Sequence, residues 1–155
     1  MNLTRAGEYA VRCVLYLSTQ DQQRVVKRVE VAEAMEIPGH FLGKIAQRLA
    51  RAEILEITQG ARGGYRLLRP PRRISLLDVI VAAEGNMALN QCLIRPGSCN
   101  RSDFCAVHQV WHQAREALLK VLQEADFATL ARHELQISDH RRRKQEPTTK
   151  PSGED

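Results

Sequence analysis

Cys92, Cys99, Cys105 and His108 fall within seventeen residues of the stretch NQCLIRPGSCNRSDFCAVHQVWHQA, residues 90–114. Glycine and proline interrupt that stretch, and no long apolar run surrounds it. Three thiols and an imidazole make a soft donor set, suited to an iron–sulfur cluster or zinc and unsuited to calcium or magnesium. The pattern C-x6-C-x5-C-x2-H is wider than the paired knuckles of most structural zinc sites. A loose loop can instead wrap the larger body of an iron–sulfur cluster. Cys105 and His108 stand three apart at the start of a predicted helix, so they project to nearly the same side. On chemistry alone, iron–sulfur, zinc and metal-free thiol roles all stay open.

The elements that must carry this loop are legible in outline. Thr4 can cap a first helix in which Ala6, Ala10, Cys13, Val14 and Leu17 recur at helical spacing. Cys13 lies on that apolar stripe and reads as a core thiol, not a ligand. A second helix is expected over 27–35, then a turn at EIPGH, then a third helix over 40–52. The third helix puts Phe41, Leu42, Ile45, Ala46 and Leu49 inward, and His40, Lys44, Gln47, Arg48 and Arg51 outward. ILEITQGARGGYRLL reads as two short strands around a glycine-rich tip that carries Arg62. Two helices joined by a short turn and followed by such a hairpin make a winged helix-turn-helix. Its third helix would enter a major groove. Arg62 on the wing would reach backbone or minor groove. His40 and Lys44 are then the expected base readers and Arg48 and Arg51 the expected phosphate clamps, with Gln47 on the same face.

Further along, Ser75 and Asp78 form a capping-box pattern for a fourth helix that Gly85 stops. The segment from Ala106 to about Ala125 is the longest helix expected. Its stripe Val107, Val110, Trp111, Ala114, Leu118, Val121 and Leu122 is too extended for a small domain to cover alone, and reads as a dimerisation helix. A short last helix near 129–135 precedes HRRRKQEPTTKPSGED, a polar tail expected to be disordered.

Bulk properties agree with a DNA-binding protein without proving one. Of the net charge of +5, residues 1–70 carry 11 Lys/Arg against 7 Asp/Glu, and residues 71–155 carry 12 against 11. The basic excess thus sits in the half without the cysteine loop, which favours a polyanionic partner there. The N-terminal stretch lacks a signal pattern and no apolar run is long enough to span a bilayer, so a cytoplasmic protein with reduced thiols is expected. No nucleophile–base pair, paired carboxylates or ferredoxin-like C-x2-C run stands out, so no enzyme and no small-molecule substrate are expected.

MNLTRAGEYAVR, IPGHFLGKIAQRL, GARGGYRLLRP, ISLLDVI and the three-cysteine loop ahead of a Trp-containing helix together resemble the family of iron–sulfur transcription regulators that includes IscR, NsrR and RirA. The resemblance runs over approximately residues 1–135. It implies a mainly α fold with a small β-hairpin wing, assembled as a homodimer on palindromic operator DNA. It further implies a cluster on Cys92, Cys99 and Cys105. The fourth ligand would be His108, as in IscR-like members with a 2Fe–2S cluster, or Glu8 from the partner subunit, as in NsrR-like members with a 4Fe–4S cluster. The chain then divides into a winged helix-turn-helix with its connecting helix (1–84), a cluster-binding loop (85–105), the dimerisation helix with a short C-terminal helix (106–138), and a tail (139–155). The expected function is a regulator, usually a repressor in this family, sensing iron, redox state or nitric oxide. A zinc- or thiol-based regulator on the same scaffold is the alternative.

Overall fold

The computed structural model describes residues 3–87, 90–95, 97–101 and 104–145. In chain order these form α1 (Arg5–Ser18), α2 (Arg28–Ala34), α3 (Gly39–Arg51), β1 (Leu55–Thr58), β2 (Gly64–Leu67), a 3-10 turn (Pro71–Arg73), α4 (Leu76–Glu84), α5 (Gln91–Ile94), α6 (Ala106–Glu124) and α7 (Phe127–Gln145). The fold is mainly helical with one antiparallel hairpin, as the sequence predicts.

Local chemistry sets the ends of these elements. Thr4 Oγ1 accepts from Gly7 N at 3.4 Å and caps α1, whose buried face is Ala10, Cys13, Val14 and Leu17. The turn between α2 and α3 closes with Glu36 in the left-handed region at φ 52°, while Ile37 drops into the core and donates to Ala32 O at 2.9 Å. Helix α3 buries Leu42, Ile45, Ala46 and Leu49, so its outward face is polar. Phe41, expected inward, is instead 36% exposed. It lies on the flank of α3, its ring 4.4 Å from His40 and 5.8 Å from Tyr9, centroid to centroid.

The hairpin pairs Leu55 with Leu67 through Thr58 with Gly64. It is also stitched to the helical body: Val26 N donates to Tyr65 O at 2.9 Å and Tyr65 N to Val26 O at 2.8 Å. Gly64 makes that approach possible, since a Cβ there would stand 2.1 Å from Val26 O. The wing root is therefore part of the core, with Tyr65 and Leu67 buried in it.

Helix α4 has the predicted capping box: Asp78 N donates to Ser75 Oγ at 3.1 Å, and Ser75 N to Asp78 Oδ2 at 2.9 Å. The connector ahead of α4 pairs with the junction between α6 and α7, through Leu76 N to Ala125 O at 2.8 Å and Phe127 N to Ile74 O at 3.0 Å. Phe127, fully buried, pins α7 to the body there.

Two C-terminal expectations differ from the structure. The last helix is not confined to 129–135 but runs from Phe127 to Gln145, so 139–145 are helical and not a disordered tail. Arg, Lys, Gln and Leu are good helix formers, and Arg142, Arg143 and Lys144 in the last turn oppose the negative end of the helix dipole. Positions 146–155, expected to be disordered, lie outside the described residues.

Gly64→Ala should lower stability by about 1–3 kcal/mol, because the added carbon meets backbone that cannot yield as a side chain would. Chemical denaturation reads this directly. A midpoint equal to wild type would mean that the wing root is not held against Val26.

Candidate DNA interface and cysteine loop

The six residues expected to meet DNA are all exposed. His40, Lys44, Gln47 and Arg51 are all exposed on α3, and Arg62 is exposed at the tip between the strands. A cleft of about 390 Å³ separates α3 from the wing, lined by Arg28, Gly43, Gln47, Thr58, Gln59 and Gly60 among others. Arg28 was not singled out from the sequence, because it opens α2, a whole element ahead of α3. Arg48, expected on phosphates, is tied into the fold: its Nη1 donates to Ala83 O, in the last turn of α4, at 2.5 Å.

The same turn of α4 holds the N-terminus. Glu84 Oε1 accepts from both Thr4 N and Thr4 Oγ1 at 2.6 Å. Glu8 sits in the first turn of α1, exposed, so the turn that carries it is docked where the cysteine loop begins. Gly85 follows at φ 87°, a backbone angle that favours glycine, and breaks the helix. From the far side, Arg115 of α6 donates through Nε to Met87 O at 3.0 Å and fixes the root of the loop.

None of the four cysteines forms a disulfide: Cys13 in α1 is buried, while in the loop Cys92 and Cys105 are half-buried and Cys99 is exposed. Cys105 is the N-cap of α6, and its carbonyl accepts from His108 N at 3.0 Å. His108 Nδ1 is buried with no hydrogen-bond partner. Among the described residues, no three His, Cys, Asp or Glu side chains lie close enough together to hold a metal ion. The structure thus places Cys105 and His108 together at the start of α6, without gathering a set of three described donors there. The donor types still suit a soft iron or zinc centre, and a buried imidazole nitrogen without a partner is a costly arrangement that a metal bond would relieve.

Residues 3–133 match the Rrf2 family, described as an iron-dependent transcriptional regulator. The chain belongs to the Rrf2 family. The transcriptional regulator NsrR of Geobacillus kaustophilus (strain HTA426) is 33% identical over 131 residues, 84% of this chain and 89% of that protein. Two solved structures share the Rrf2 fold with it. CymR, the global cysteine regulator of B. subtilis, superposes with a TM-score of 0.71 at 20% identity, covering 86% of this chain and 98% of that one. T. potens IscR gives 0.69 at 22%, covering 86% and 88%. The resemblance read from the sequence is therefore correct: this is a DNA-binding, winged-helix transcription regulator and not an enzyme. No helix among the described residues is long and apolar enough to cross a membrane.

Outside the loop, burial raises the pKa of Cys13 in α1 to about 12. A thiol-specific disulfide reagent at pH 8 should therefore label Cys92, Cys99 and Cys105 in the reduced, metal-free native protein, and Cys13 only after denaturation. Native labelling of Cys13 would show that the α1 face is not packed as described.

Proposed function

We propose that this Rrf2 protein is a homodimeric repressor that binds palindromic operator DNA and senses iron, redox state or nitric oxide through an iron–sulfur cluster on Cys92, Cys99 and Cys105. The observation that carries this reading is the buried, unpartnered Nδ1 of His108, three residues after the last loop thiol. It supports His108 as fourth ligand. Glu8 of the partner subunit is the alternative, since Glu8 is exposed in the first turn of α1 and so is open to a second protomer. When bound, the cluster supplies a labile iron centre that the named signals can oxidise, nitrosylate or remove.

What the chain's own residues do follows from their ties. With Cys92 and Cys99 held, the loop is fixed at its root by Arg115 and at its end by Cys105. Released, it can move about Gly85, and with it the last turn of α4 that Arg48 and Thr4 hold. This is an order–disorder switch acting on the helix that faces DNA. Dimerisation is supported by α6, which has no buried residue and exposes Val107, Val110, Trp111 and Val121 by 38–64%. A stripe of that kind is half of an interface.

Anaerobically purified protein should be coloured and contain iron and sulfide. Alanine at Cys92, Cys99 or Cys105 should each abolish that content, while Cys13→Ala should keep it. His108→Ala should make the cluster labile or alter its visible spectrum, with Glu8→Ala nearly silent. The opposite ranking would move the fourth ligand to Glu8, and a colourless protein with one zinc per chain would replace the cluster reading with the zinc-based one.

On DNA, Lys44→Ala should blunt sequence preference. Arg51→Ala should weaken all duplexes alike and lower the log–log salt slope by about one per protomer. Binding to selected and scrambled duplexes across a salt series separates the two. Wild-type behaviour of both variants would remove α3 as the reading helix.

A further inference from the structure

Arg28 opens α2, two residues after Val26, which the wing residue Tyr65 holds by paired backbone bonds. Its side chain runs across the recognition helix. Nη2 donates to Gly39 O, and a Cβ built on Gly43 would lie 3.5 Å from Nη2, 3.6 Å from Cζ and 3.8 Å from Nη1. On Gly39 it would lie 3.7 Å from Nη2. Gly39 and Gly43 are one helical turn apart, and Gln47 continues their row. The guanidinium thus covers the first two turns of α3, where side chains at 39 and 43 would otherwise stand. It also lines the cleft that separates α3 from the wing.

Two features of this arrangement work against the stability of α3. Gly43, inside the helix, is about 1 kcal/mol less favourable than alanine. A cation beside the N-terminal turn opposes the positive end of the helix dipole. No ion pair offsets that charge: the ion pairs among the described residues join Arg24 with Glu30, Arg66 with Glu56, Arg115 with Glu116 and Lys120 with Glu124. Arg28 is also exposed, so it is not there to fill the core. Both costs make sense if the partner of this surface is a polyanion that the guanidinium meets directly.

We propose that Arg28 is a specificity-determining residue of the DNA interface, reading a guanine from α2 through the gap that Gly39 and Gly43 leave on α3. This rests on the reading of α3 as the helix that enters the major groove. An arginine fork matches the O6 and N7 acceptors of guanine bidentately, whereas a lysine offers only a point charge. The hydrogen bond to Gly39 O and the tie of Val26 to the wing hold the fork in place before DNA arrives, so little side-chain freedom is lost on binding. The N-terminal part of a recognition helix is the part presented to base edges, which is the part Arg28 overlies.

The test is sequence selection from a duplex pool with a randomised core, using the full-length protein as purified without oxygen. Wild type should select a G·C pair at one symmetric position in each half-site. Arg28→Ala should reduce that preference on the order of tenfold to a hundredfold and leave the other positions intact. Arg28→Lys should keep the salt dependence and lose the same preference. Gly43→Leu should do likewise by displacing the fork while favouring the helix, so a folding defect cannot mimic it.

An unchanged G·C preference in Arg28→Ala overturns the proposal. So does uniform weakening on all sequences with a salt slope lower by about one per protomer, the signature of a phosphate contact. Lys44→Ala in the same experiment separates the two levels. If it alters its own position while Arg28→Ala alters none, only the Arg28 assignment fails. If neither changes the selected sequence, the reading of α3 itself fails, and Arg28 with it.

Discussion

The last turn of α4 is where three parts of the molecule are tied. Arg48 of α3 donates to Ala83 O, Thr4 at the head of α1 donates twice to Glu84, and the cysteine loop departs from Gly85. Hydrogen bonds with one charged partner are each worth about 1.5–3 kcal/mol where water does not compete strongly. Exposure at Thr4 and Glu84 puts their pair at the low end or below. Regulation needs little more: a coupling of about 1–3 kcal/mol changes an affinity by 5- to 150-fold. On the proposed reading, a shift at Gly85 that weakens one of these ties is therefore already of the right size, and no large rearrangement of the winged helix is required.

The long helix α6 fits the same economy of parts. It touches its own body mainly along α4 and α5, with Arg115 reaching back to Met87. Its apolar side chains otherwise face outward. Each large side chain removed from water contributes on the order of 1 kcal/mol or more, so a partner helix laid on Val107, Val110, Trp111 and Val121 of both protomers would outweigh the modest ties within the chain. Such an interface would hold α6 still while α4 moves against it. On the proposed reading, that is the arrangement in which a loop strung between Met87 and Cys105 reports on its ligands.

How much of this was legible in the sequence depends on the range of the interaction. Caps and periodic faces are local, so Thr4, Ser75, Asp78, Gly85 and the buried row of α3 could be read directly, and the winged-helix order followed from them. Phe41 was misassigned because it lies at the edge of the apolar arc, where a partner from α1 and not the helix period decides exposure. The extension of α7 was missed because charge and proline further on were read as disorder, although Arg141 to Lys144 suit a helix C-terminus. The contacts of Arg48 and Glu84, 35 and 80 residues from their partners, carry no local signal at all. Arg28 did leave one, in hindsight: a glycine inside a recognition helix, at position 43, calls for a reason.

The cysteine loop marks the limit of a different kind. None of the described residues from Asn90 to Arg101 is buried, and the regular element described among them is the four-residue α5. A segment with so little apolar surface to bury cannot offset the entropy of one fixed shape by packing. On the proposed reading, its geometry comes from bonds made by its donor atoms, and for reduced thiols the strongest such bonds are to metal. That no three described donors are gathered while His108 Nδ1 lies buried without a partner fits such a loop seen from the protein's side alone. On the proposed reading, the half of the site built on α6 is set by the fold, and the half on the loop is set by what binds. A sensor needs that division, because an element held fast by its own core would have nothing to report when its ligand left.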